Sequence, residues 1–265
     1  MIKARILKMA VGCMILVTSS LLAAEENAIA DSGSDSSTPP EAQQVLQRCE
    51  GRVMSSSSID RIDHLIYFAP DLESGMDDIE KLLGVRPIVG GHHPDYGTHN
   101  ALLAFGPTTY LEIIAADPDL PAPSRGKLFA EYEADGPRLL TWVMREENID
   151  SVASFATAAG VDMGAITPGK RQKSDGSFVS WKASDPYAMH FDGPIPFMIS
   201  WGDTPHPATS APLGGCLLDL TFEHPSPDDV KTALAALGVQ FEISKADQVR
   251  LVATIKTANG VVQLK

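Results

Sequence analysis

Positive charge is what this sequence has least of for its size. Its 21 Lys and Arg stand against 34 Asp and Glu, a net of −13. No stretch gathers enough of them to hold a phosphate backbone, which excludes nucleic acid as a partner. Cysteine is scarce as well, and Cys49 and Cys216 lack the C-x-x-C spacing of zinc ribbons or redox motifs. There is no G-x-S-x-G, so a strand-to-helix serine nucleophile is excluded. Gly90-Gly91 opens a loop with no helix start behind it, so it is no dinucleotide fingerprint. The one long apolar run, Met9 to Ala24, is short for a membrane span and contains Thr18, Ser19 and Ser20.

That run is instead laid out as a secretory signal. Lys3, Arg5 and Lys8 precede it, and Ala28-Ile29-Ala30 supplies a small-x-small cleavage site. Removing residues 1–30 leaves 18 basic and 32 acidic residues, a net of −14. The expectation is an exported protein, periplasmic or extracellular, with no membrane attachment once the signal is cut. Cys13 leaves with the signal. Cys49 and Cys216 remain, either as a disulfide suited to export or as two free thiols. Residues 31–58 are rich in Ser, Asp and Pro and read as a flexible leader.

From residue 59 to 265 the pattern is strand, helix, Gly-Val, then three strands, and it occurs three times. The units span about 60–118, 138–203 and 216–264. Their landmark glycines, Gly84, Gly160 and Gly238, are 76 and 78 residues apart. In the first, Asp71 caps a helix whose apolar face is Leu72, Met76, Ile79 and Leu83. In the second, Asn148 is the cap and Ile149, Val152, Phe155 and Ala159 form the face. In the third, Ser226 caps with Pro227 at the first helical position. A βαβββ unit makes a curled half-sheet whose concave face needs a partner. The expected fold is therefore α+β, with curled mixed sheets of repeated units around a cleft suited to a small-molecule ligand.

The densest run of candidate ligands is GGHHPDYGTHN, residues 90–100, with His92, His93 and His99 in eight positions. A loop lacks the rigid support that a metal site needs, so His92 and His93 are expected near a cleft mouth. His99 and Asn100, entering a strand, are candidates for touching a ligand. So are Trp201 and His206, the latter held extended between two prolines. Trp181, Phe191 and Phe197 are either cleft walls or core. His190 and His224 read as surface residues. PGKRQKSDGS (168–177) reads as an exposed basic hairpin tip, placed to attract an anionic ligand at a cleft mouth.

The opening IDHLIYFAPDLESGMDDIEKLLGVRP, with GGHHPDYGTHNALLAFGPTTYLEIIAADP and PFMISWGDTPHP, resembles the glyoxalase-like domain family of the vicinal oxygen chelate superfamily, which includes glyoxalase I and the extradiol dioxygenases. The resemblance covers about residues 60–264. It implies a divalent metal (Zn, Ni, Fe or Mn) held by residues from the first and last strands of paired units. The matching positions are His64 and Glu112 in the first unit and Asp219 in the third, with Gln263 opposite Glu112. The second unit offers Trp142 and Ile199, which cannot be ligands. Asp219, His99 or His206 would then complete the set, with Glu112 also catalytic. Without a metal, Glu112 is expected to pair with Arg138 or Arg86, and His64 to line an apolar pocket. The resemblance implies a metal-assisted lyase, isomerase or dioxygenase; the alternative is a metal-free binding module for a small organic molecule. Units paired between chains leave a homodimer open.

Overall fold

The segment IDHLIYF is buried along its whole length as strand β1 (Ile62–Phe68) of a computed structural model, which describes residues 58–119, 136–173, 175–188 and 190–265. The expected signal and leader, with Cys13 and Cys49, lie outside the described residues. Helix α1 (Leu72–Leu83) follows β1. Asp71 accepts a hydrogen bond from the Ser74 N–H at 2.9 Å, and Gly84 closes the helix at φ 81°. Leu72, Met76, Ile79 and Leu83 are buried as the periodicity predicts. Strands β2 (Ile88–His93), β3 (Thr98–Ala104) and β4 (Tyr110–Ala116) complete the unit. The second unit repeats it with β5 (Arg138–Arg145), α2 (Ile149–Ala158), β6 (Thr167–Gln172), β7 (Phe178–Ala183) and β8 (Phe197–Ser200).

The two half-sheets close into one barrel, in the order β1-β4-β3-β2-β6-β7-β8-β5. One seam, β1 against β5, is long and antiparallel. The other is a single pairing of His92 with Gln172 between β2 and β6. Gly91 makes that seam passable. Its φ is 145°, and a Cβ there would lie 1.9 Å from the Gln172 carbonyl oxygen.

The third unit comprises β9 (Cys216–His224), α3 (Pro227–Ala236), β10 (Glu242–Lys245), β11 (Arg250–Thr257) and β12 (Gly260–Leu264). It has the expected element order but a different pairing. The strand after its helix, β10, lies beside β9 and parallel to it, in a four-stranded sheet of order β10-β9-β11-β12. In the barrel units the corresponding strand is the farthest from the first. This sheet joins neither half-barrel. It packs on the outside of β5, where the Trp142 ring stands 5.1 Å from Phe241, which in turn meets Phe222 at 5.5 Å. The main core is thus outside the barrel, between its wall, the helices and the third sheet. It includes Leu65, Leu111, Ile113, Trp142 and Met144, each at 0% exposure. Full burial of each such side chain contributes about 1.5–3 kcal/mol.

Three local expectations change. On α2 the buried stripe is Ile149, Ala153 and Ala156, while Phe155 is 72% exposed. The phase follows the alanines, whose small side chains let the helix sit close to the sheet. Neither Asn148 nor Ser226 makes a side-chain cap hydrogen bond. His224 is buried, its Nδ1 accepting the Ser226 N–H at 2.8 Å. Cys216 is disulfide-bonded. No described helix is long and apolar enough to cross a membrane.

Gly91→Ala should open the thin seam and destabilise the fold by about 2–4 kcal/mol, through backbone strain added to a backbone clash. Urea unfolding against wild type measures it; a change below 0.5 kcal/mol, roughly the scatter of surface substitutions, would show that the seam does not need glycine.

Candidate functional site

The barrel's interior is a cavity of about 850 Å³ including its open mouth. The first unit lines it with polar groups, namely His64, His93, Thr98, Asn100, Tyr110 and Glu112. The second supplies mainly apolar walls (Leu140, Ala183, Phe197, Ile199) with Trp181, and Trp201 follows β8. Strand alternation carries His64 and Ile66 inward and sends Leu65 and Tyr67 to the outer core. Tyr110, Glu112 and Ile114 face inward from β4 in the same way.

Asp63 breaks that alternation. The pairing of β1 with β5 slips between Ile62 and His64, so Asp63 sits at a bulge and is fully buried. Its Oδ1 is 2.7 Å from His64 Nδ1. Its Oδ2 accepts from Trp201 Nε1 at 3.0 Å and lies 3.2 Å from His206 Nε2. With Nδ1 fixed, His64 points Nε2 at Glu112 Oε2, 3.4 Å away. Tyr110 stacks on the imidazole at 4.5 Å. Glu112 Oε1 accepts from Asn100 Nδ2 at 2.6 Å, and His93 Nε2 lies 3.8 Å from the same oxygen.

The protonation pattern follows from these contacts. Burial opposes a charged His64, but hydrogen bonds to Asp63 and Glu112 outweigh it and raise its pKa to about 9. Burial likewise opposes the two carboxylates. Bonds from His206 and His64 bring Asp63 down to about 2, and those from His64 and Asn100, with the His64 charge, bring Glu112 down to about 2. For His93, burial outweighs the Glu112 charge 3.8 Å away and, with the nearby Arg171 and His64 charges, brings it down to about 4, so it is neutral at pH 7. The resting chain is carboxylate, imidazolium, carboxylate.

Arg171 on β6 is the cavity's other cation. It is 5% exposed, and its Nη1 has no hydrogen-bond partner among the described residues. Asn100 Oδ1 is equally unpartnered. Both atoms lie over Gly90, where an added Cβ would sit 2.3 Å from Asn100 Oδ1 and 2.7 Å from Arg171 Nη1. The expected hairpin tip at 168–177 is therefore corrected. Thr167–Gln172 is a strand that turns Gly169 and Arg171 inward and Lys170 outward.

Other expected residues fall as follows. His64, Glu112, Asn100 and Trp201 line the cavity, and His206 reaches it through Asp63. His99 does not; it stands on β3 as expected but faces out of the barrel, as does His92, and His92 and His93 stand on β2 instead of in a loop. Asp219 is exposed on the third sheet, its Oδ1 accepting from Leu220 N–H, so it cannot join His64. Glu112 pairs with neither arginine considered for it: Arg86 is bound on the surface by Glu73, Asp77 and Glu80. Phe191 lies outside the cavity against His224.

The donors do not fit the superfamily's metal. His64 and Glu112 are close enough to share an ion with bonds of about 2 Å. The facing wall from the second unit offers no His, Cys, Asp or Glu ligand, however, its polar members including Thr141 and Arg171, and Asp219 is remote. Among the described residues, the group of three potential ligands within 4.8 Å of one another is His92, His99 and Asp117, outside the cavity. The chemistry available in the cavity is that of a buried acid–base chain beside a free guanidinium.

Two βαβββ units closed into one barrel around a lined cavity define the fold class. A model of the glyoxalase-like domain matches residues 62–238, and the chain belongs to that family. No curated protein matches the chain. Among solved structures, a hypothetical protein from Staphylococcus aureus is similar at 11% identity and TM-score 0.55, over 77% of this chain and 98% of that one. A mutant 4-hydroxymandelate synthase from Streptomyces coelicolor gives 14% and 0.46, over 77% and 61%. Methylmalonyl-CoA epimerase from the same organism gives 16% and 0.38, over 56% and 98%. The likeness to the Staphylococcus aureus structure is one of fold.

The raised His64 pKa makes a pH prediction. Its stabilisation is present in full below the unfolded value of 6.5 and is lost as pH climbs through about 9. The depressed carboxylates act in the opposite sense, losing theirs as pH falls through about 2. In an NMR titration, His64 should stay protonated at pH 8, and Asp63→Asn should bring its midpoint down by at least one unit, about the size of shift a close opposite charge produces. A wild-type midpoint near 6.5 would refute the pairing.

Proposed function

We propose that this glyoxalase-like protein binds a small organic acid in the barrel and transfers a proton on it without a metal. The observation that carries this is the pair of buried, unpartnered polar atoms, Arg171 Nη1 and Asn100 Oδ1, beside the Asp63–His64–Glu112 chain. A buried guanidinium without an anion is costly, and a ligand carboxylate is the group that matches its fork. Asn100 Oδ1 calls for an N–H or O–H on the ligand. The apolar wall and the Trp181–Trp201 pair, 5.7 Å apart, suit an apolar or aromatic body.

In the proposed reaction Glu112 removes a proton from a carbon next to a ligand carbonyl. The C–H electron pair becomes a C=C bond, and the carbonyl electrons move to oxygen, which takes the His64 Nε2 proton. The Glu112 proton then passes to the neutral His64 Nε2, 3.4 Å from Oε2, which restores both groups and leaves the enol; the reverse sequence returns the proton to carbon, so the reaction is a keto–enol isomerisation. Burial of both groups excludes the water that would otherwise solvate them. Asp63 holds the tautomer and orientation of His64 and is a positioning residue.

Export remains part of the proposal. The basic, apolar and small-x-small segments of residues 1–30 and the disulfide at Cys216 support it.

An aryl-substituted 2-oxo acid and its methyl ester test both parts by calorimetry and by deuterium exchange at the carbon next to the carbonyl. The acid should bind and the ester should not. Arg171→Gln should weaken the acid about 10- to 100-fold. Gly90→Ala should also weaken it, since its Cβ displaces Arg171 and Asn100 without changing either. His64→Gln should keep binding and lose exchange about 10²- to 10⁴-fold. Equal affinity for acid and ester would overturn the recognition; tight binding with no exchange would leave a binding module in place of an enzyme.

A further inference from the structure

The histidine-rich stretch at 90–100 is only half used by the cavity. We propose that its other half, His92 and His99, forms with Asp117 a divalent transition-metal site on the outer face of the barrel. The three residues come from neighbouring strands. His92 and His99 are directly opposite each other in the β2–β3 ladder. Asp117 follows β4, whose last residue Ala116 pairs with Thr98, and its N–H bonds to the Gly97 carbonyl at 2.9 Å. The period-two alternation that turns His93 and Asn100 inward turns His92 and His99 outward together.

Their geometry is that of ligands in search of an ion. The two rings are 6.3 Å apart and close to parallel, at 27°. One donor atom from each of the three residues lies within 4.8 Å of the others. Bonds of about 2.0–2.2 Å to a shared ion require donors about 3–4 Å apart, which side-chain rotation alone can reach. Asp117 is already oriented. Its Oδ1 accepts the Asp119 N–H at 3.0 Å, leaving Oδ2 against His92 Nδ1. Its side chain is 0% exposed while that of His92 is 47% exposed, so the carboxylate is fixed and the open side admits the ion and its waters. A simple ion pair between His92 and Asp117 would leave His99 with no part in the arrangement.

Two imidazoles and one carboxylate select zinc, cobalt, nickel, iron or manganese, not calcium or magnesium, which prefer all-oxygen sites. The place gives the ion a structural task. Among the described residues His92 is also the one β2 residue paired with β6, so an ion there ties β2, β3 and β4 together at the weaker of the two barrel seams.

Calorimetry with Zn²⁺ and Co²⁺ on the chelator-treated protein tests this, with a thermal melt and a Co²⁺ absorption spectrum. One ion per chain should bind and raise the melting temperature. His92→Ala, His99→Ala and Asp117→Asn should each weaken binding at least tenfold, and circular dichroism should show them folded. His64→Gln, in the cavity, should bind like wild type. No uptake by wild type would overturn the site, as would unchanged binding in His99→Ala or loss of binding in His64→Gln, which would put the ion in the cavity.

Discussion

The cavity's chemistry depends on one carboxylate that departs from its strand's alternation. Were β1 regular, Asp63 would point into the outer core with Leu65 and Tyr67, where an unpaired carboxylate has no place. The slip against β5 puts it beside His64 instead, and there it accepts from three side chains. Trp201 and His206 come from the segment after β8, more than 130 residues away along the chain. One buried anion therefore fixes a tautomer, charges an imidazole and anchors the segment at the cavity's rim. A local irregularity of this kind is how a sheet re-aims a side chain at a functional site.

The two half-barrels have divided their labour. The first carries the acid–base groups and the second carries walls, with Arg171 as its single charged contribution to the cavity. Closure is what brings these together: Arg171 and Asn100 meet over Gly90 because β2 and β6 are neighbours, although their pairing is one residue long. The asymmetry also leaves the second unit without the metal ligands that the resemblance implies. Where the second unit would offer ligands, it offers Ile199 and the buried Trp142, and Trp142 has been recruited to hold the third sheet through Phe241.

Much of this was legible from residue periodicity. The α1 face and its Asp71 cap followed from spacing, and His64 and Glu112 as site residues from the resemblance. What was illegible has a physical reason in each case. A bulge leaves no trace in the pattern of apolar residues, and plain alternation along β1 would turn Asp63 away from His64. TPGKRQ carries no apolar alternation, because its inward residues are a glycine under Trp181 and an arginine, so a strand looked like a turn. The third unit repeats the element order, but order does not determine pairing; with no partner half-sheet to close against, its β10 settles beside β9, and the Asp219 assignment fell with the analogy.

The stretch GGHHPDYGTHN shows how a composition signal can be right about content and wrong about place. Three histidines so close together suggest one site, yet adjacent residues in a strand face opposite ways, and the turn at residues 94–97 sets His99 against His92, not His93. The hairpin therefore divides its imidazoles between two environments. His93 enters the barrel's interior, where burial keeps it neutral beside Glu112, its Nδ1 held by Thr98 Oγ1 at 2.9 Å. His92 and His99 remain at the surface beside a fixed carboxylate, where an imidazole lone pair is free to meet an ion. The same strand order that builds the cavity thus builds a second polar site behind its wall, and the two share no side chain.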